Sequence, residues 1–144
     1  MSAPYAWGKD IAFKTNCGGN VLNLTTGTGN ITSVDVVPCS EEPCQLQKGK
    51  EAHITLRGVA KEAIQEGRID TTMSVLGIQV PVPNVERDIC KTVSKCPIMA
   101  EQPIVADLVV PVSPIAPVAK TTITVTVSSQ DGLVFCVQFP VFLE

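Results

Sequence analysis

The chain has 144 residues, a net charge of −3, 17% charged residues and 44% apolar ones, enough for one domain with its own core. Lys and Arg are dispersed along it, which excludes the basic stripe of a nucleic-acid-binding protein. Its most apolar span, Leu108–Ala119, is short and interrupted by Pro111, Pro114 and Pro117, which excludes a transmembrane helix.

Residues 1–15 read as an N-terminal arm and first strand, without the apolar core of a signal peptide, so the expected form is the mature one. Two glycosylation triplets follow, Asn23-Leu24-Thr25 and Asn30-Ile31-Thr32, in the segment from Gly18 to Ser33. From there the apolar period is two almost throughout. Ile31–Val37 is a strand, and Glu51–Gly58 turns Ala52, Ile54 and Leu56 to one side. Val59–Glu66 has good helix formers but is closely bounded by Gly58 and Gly67, so it reads as a loop or single turn. Arg68–Leu76 places Ile69, Met73 and Val75 on one face.

The next stretch, IQVPVPN (Ile78–Asn84), alternates Ile78, Val80 and Val82 with Gln79, Pro81 and Pro83. Neither proline can donate a ladder hydrogen bond, which places this apolar run at an edge, where it needs a cover. Ile104–Val112, Lys120–Ser128 with Ile123, Val125 and Val127 inward, and Leu133–Phe142 are further strands, and Asp131-Gly132 marks a hairpin between the last two. About seven short strands with regular turns predict an all-β sandwich of two antiparallel sheets in a single domain, 1–144. The six aromatic residues are concentrated near the chain ends, so the interior is aliphatic.

Six cysteines, Cys17, Cys39, Cys44, Cys90, Cys96 and Cys136, favour disulfides and a secreted protein, with 15 connectivities open. With one histidine, His53, and no knuckle spacing on both sides, metal binding has no support, and no cofactor is expected. His53 falls on the polar phase of its strand and reads as a surface residue, while Asp88 reads as a turn-capping carboxylate. Gly18-Gly19 and Thr26–Asn30 follow no strand–helix phosphate arrangement, and Glu41-Glu42 is a poor calcium cage. No enzymatic constellation emerges. The distinctive feature is an aliphatic interior that continues past the prolines of Val80–Pro83 and Val110–Pro117, as in a sandwich splayed at one edge around an apolar ligand.

Taken as a set, PCSEEPCQLQKG (Pro38–Gly49), LGIQVPVP (Leu76–Pro83), DICKTVSKCPI (Asp88–Ile98), VVPV (Val109–Val112) and FCVQFPV (Phe135–Val141) resemble the ML lipid-recognition family from about Asn16 to Leu143. The chain looks most like the Niemann–Pick C type 2 proteins, in particular arthropod members, and is related to the group 2 mite allergens. The resemblance implies an immunoglobulin-like sandwich with an apolar cavity between its sheets, and the pairs Cys17–Cys136, Cys39–Cys44 and Cys90–Cys96.

It also implies a pocket lined by Leu46, Ile54, Leu56, Val75, Val80, Val82, Val110, Val112, Ala116, Pro117, Ile123, Val125, Val137, Phe139 and Val141, in agreement with the inward phase. In sterol-binding mammalian members the positions of Val82, Ala116, Val125 and Val137 carry large aromatic rings, whereas Val112 is unchanged. Four smaller side chains would free on the order of a few hundred Å³ if the backbone did not move. The implied function is a monomeric soluble carrier of one apolar lipid, a fatty acid, sterol or semiochemical, secreted or in the lysosomal lumen, touching a membrane or receptor during transfer. The alternative is an extracellular co-receptor presenting a lipid, with Lys48, Lys50, Arg87, Lys91 and Lys95 as its candidate headgroup cations.

Overall fold

The computed structural model describes residues 9–13, 29–40, 42–75, 77–93, 96–116, 118–130 and 132–144. Nine strands and one short helix follow in the order β1 (Lys9–Asp10), β2 (Asn30–Val37), β3 (Cys44–Leu46), β4 (Glu51–Val59), β5 (Gly67–Val75), β6 (Ile78–Pro81), α1 (Ile89–Thr92), β7 (Pro103–Pro111), β8 (Ala119–Ser129) and β9 (Gly132–Leu143). They form two sheets, β1-β2-β4-β7 and β3-β9-β8-β5-β6, stacked as an immunoglobulin-like sandwich. Every pairing is antiparallel except β3 beside β9, which is parallel.

Alternation in sequence becomes alternation in burial. Along β4 and β7, buried and solvent-facing residues follow each other with hardly a break. Cross-strand partners such as Ile54 and Leu108, or Ile123 and Phe139, therefore point into the same layer. On the outward phase of β8, Thr122, Thr126 and Ser128 stay half-buried, while Lys120 is exposed and Thr124 buried. The β8–β9 hairpin expected from Asp131-Gly132 is present, with Ser129 paired to Gly132 at a φ of +117° that glycine adopts without strain.

Three elements lie beyond what periodicity reveals. β1 and β3 have two and three residues, too few to repeat a pattern. The single turn of α1 sits in the Cys90–Cys96 loop, where Asp88 caps it by accepting the Cys90 N–H at 2.9 Å. Val59–Glu66 divides: Val59 completes β4, and beyond it the chain is irregular, with Ile64 bridging to Ile98.

Two of the expected disulfides, Cys39–Cys44 and Cys90–Cys96, are present. Cys136 is disulfide-bonded as well, on the outer phase of β9. Its expected partner Cys17 lies outside the described residues.

Candidate functional site

The implied lining residues come from both sheets, because each strand offers its inward phase to the space between them. β4 contributes Ile54 and Leu56, and β7 contributes Val110, with Val112 just beyond its end. From the facing sheet come Leu46 of β3, Ile123 and Val125 of β8, and Val137, Phe139 and Val141 of β9. Val125 pairs directly with Val137, so two of the four positions singled out by the resemblance as small are neighbours here.

All of these side chains are 0–3% exposed, so almost no water-sized space adjoins them. In this form the two layers fill the interior with their own aliphatic groups. The few hundred Å³ expected from smaller residues on an unmoved backbone is taken up by close packing.

The edge behaves differently. Ile78, Val80 and Val82 share the inward phase, but β6 is the last strand of its sheet among the described residues, with no further strand beyond it. Exposure falls along the strand, from 65% at Ile78 to 41% at Val80, and Val82 packs partly against the core. Val80 is thus a rim residue instead of an interior one.

Farther along the same side of β5, the edge is closed. Arg87 carbonyl accepts the Ile69 N–H, and α1 packs on both β5 and β7 with Ile89 fully buried. The segment after β7 is tied back by mutual hydrogen bonds with the 49–50 turn, and its Ala116 packs partly on the core while Ile115 and Val118 stay exposed. The side chain of Val75 and residue Pro117 lie outside the described residues.

One interior group was missed in the sequence. Thr71 stands in the same phase as Ile69 and Met73, opposite Val125, and is 6% exposed. The signal was a hydroxyl in an otherwise aliphatic alternation.

The polar surface offers less. A groove of about 1090 Å³ runs outside the sandwich between the Cys39–Cys44 loop and β4, lined by residues including Ser40, Lys50, Glu51, His53 and Glu144; of the implied lining only Leu46 and Val112 reach it. Among the described residues no group of His, Cys, Asp and Glu is arranged to hold a metal. His53 is exposed, as its polar phase predicts. Arg87 is engaged by Asp70 at 3.2 Å, and Asp70 is shared with Arg68, so this candidate cation does not stand free for a headgroup. Lys95 and Asn23 lie outside the described residues, whereas Asn30 opens β2 and is exposed. No helix among the described residues is long and apolar enough to cross a membrane.

The model of the ML domain matches residues 15–143. A mite group 2 allergen of Glycyphagus domesticus, Gly d 2.02, is 30% identical over 113 residues, 78% of this chain and 90% of the allergen. The NPC intracellular cholesterol transporter 2 of Danio rerio is 30% identical over 116 residues, 78% of this chain and 76% of the transporter. Among solved structures, a Niemann-Pick type C2 protein from Japanese carpenter ant superposes with a TM-score of 0.77 at 21% identity, covering 93% of this chain and all of that one.

Proposed function

The chain belongs to the ML-domain family, and from that premise we propose that it is a carrier that holds one apolar lipid between its two sheets. The observation that carries this reading is the β6 edge. A largely aliphatic interior runs out there into inward-phase side chains, Ile78 and Val80, that stay 65% and 41% exposed among the described residues. Apolar surface left at a sheet edge is a liability unless a ligand or membrane covers it. A lipid chain entering at β6 would part the sheets and replace contacts between Val125, Val137 and the facing β4 residues with contacts to itself, driven by apolar burial at about 25 cal/mol per Å².

The relatives are named as a cholesterol transporter and an allergen, which supports a binding protein over an enzyme. An implied lining whose one ring is Phe139 favours flexible acyl chains at least as much as a rigid sterol. On this reading the chain is a single domain that works as a monomer in a secreted or lysosomal fluid, with Asn30 placed for glycosylation. A co-receptor for phosphorylated lipids would need converging cations, and the Arg87–Asp70 pair argues against that.

The test is displacement of a fluorescent fatty acid and a fluorescent sterol, combined with mass spectrometry of lipid extracted from the purified protein. Saturable binding of at least one probe is expected. No binding of either probe, with no lipid extracted, would contradict the proposal.

A further inference from the structure

The largely aliphatic interior contains one hydroxyl with nothing to bond to. Thr71 Oγ1 is buried and has no hydrogen-bond partner, alone in this among the described residues. Other buried threonines are satisfied: Thr121 donates to the Ser74 carbonyl, and Thr124 Oγ1 accepts from Gln138 Nε2 at 3.2 Å. Buried polar groups are nearly always paired, and an unpaired one destabilises the fold that contains it. Valine has the same shape and would fill this position without that penalty.

The position adds meaning to the orphan group. Thr71 lies on β5, one strand in from the β6 edge, and its carbonyl accepts the Val82 N–H at 3.0 Å. The hydroxyl therefore sits roughly one strand spacing, about 5 Å, behind the rim. Ile69 and Met73 flank it on its own strand, and Val125 is its partner on β8. Against such neighbours an ionised carboxylate would be strongly disfavoured. A neutral oxygen would not, because a threonine hydroxyl both donates and accepts.

We propose that Thr71 is the polar anchor of the site, a specificity-determining residue that selects apolar lipids carrying a neutral oxygen, an alcohol or carbonyl, near the end that stays at the rim. This rests on the carrier reading and deepens it: the interior is not indifferent to the head of its ligand, and the hydroxyl left unpaired in the empty form is satisfied only by the lipid. A plain hydrocarbon leaves Thr71 unsatisfied and gains nothing from it.

The experiment compares n-dodecane with 1-dodecanol as competitors of a bound fluorescent naphthylamine probe, in wild type, Thr71→Val, Thr71→Ser and Thr71→Ala. The preference for the alcohol over the alkane should fall about fivefold in Thr71→Val and Thr71→Ala, one net hydrogen bond, and persist in Thr71→Ser. Unliganded Thr71→Val should also melt higher than wild type, since it removes an unpaired hydroxyl. An alcohol-to-alkane ratio unchanged in Thr71→Val and Thr71→Ala overturns the proposal. Failure of both ligands to displace the probe from wild type would instead overturn the carrier reading beneath it.

Discussion

Replacing Ile78 and Val80 together with serine should separate ligand binding from folding. Both sit on the outermost strand of their sheet with 65% and 41% of their surface exposed, so the folded protein without ligand gains little from them. Exposed substitutions of this kind change stability by about 0.5 kcal/mol each. A lipid lying across the rim would cover what is now bare. Fully burying a Val or Ile side chain is worth about 1.5–3 kcal/mol. Scaled by the exposed fractions, a lipid that covers both completely gains at most about 1–2 kcal/mol from Ile78 and about 0.6–1.2 kcal/mol from Val80. The double variant should therefore bind a fluorescent fatty acid more weakly by about 10- to 200-fold at that limit, with a nearly unchanged melting temperature. Affinity equal to wild type would refute the assignment of the rim. A collapse in melting temperature would show that the two residues hold the sandwich together instead.

Val82→Phe should weaken a fluorescent sterol at least about tenfold relative to a fluorescent fatty acid, because a ring at this half-buried position narrows the same opening; equal effects on both ligands would contradict that geometry. Gly58→Ala should lower the melting temperature by several degrees, since its Cβ would lie 2.5 Å from the Asn30 carbonyl oxygen and 3.1 Å from Ile31 Cα, and overpacking against backbone costs about 1–3 kcal/mol. An unchanged melting curve would mean that β2 yields freely at that point. Cys136→Ser should be more damaging than Cys39→Ser or Cys90→Ser. The short bridges span sequence separations of only 5 and 6, a stabilisation of about 2 kcal/mol, against about 4–5 kcal/mol for a loop reaching back to Cys17. Equal losses of melting temperature in the three variants would contradict the long-loop pairing.

Much of this molecule was legible because one physical rule governs it. A strand with one wet face must alternate, and β4, β7 and β8 do so cleanly enough that Ile54, Leu56, Ile123 and Val125 could be assigned inward from sequence. Pro81 and Pro83 correctly placed IQVPVPN at an edge, and the structure puts β6 at the outer end of its sheet.

What escaped had no period to reveal it. β3 is held by parallel pairing with β9, a long-range contact that three residues cannot announce. Val80 looked like the other inward valines, and what distinguishes it is that no strand among the described residues lies beyond β6. Thr71 was passed over for the opposite reason: its phase was right, but hydroxyl residues are common on outward faces, and only the burial of Oγ1 without a partner makes it conspicuous. The packing between the layers was hidden as well, since small side chains allow either an open cavity or two sheets that settle together.

The most direct test is photo-crosslinking with a fatty acid that carries a diazirine at the end of its chain, followed by peptide mapping of the adduct. The carrier account predicts one lipid per chain, attached to inward residues of β4, β8 or β9 such as Leu56, Val125 and Val137. Label confined to the outer groove between Ser40 and His53, or no specific label at all, would contradict the claim that the lipid lies between the sheets.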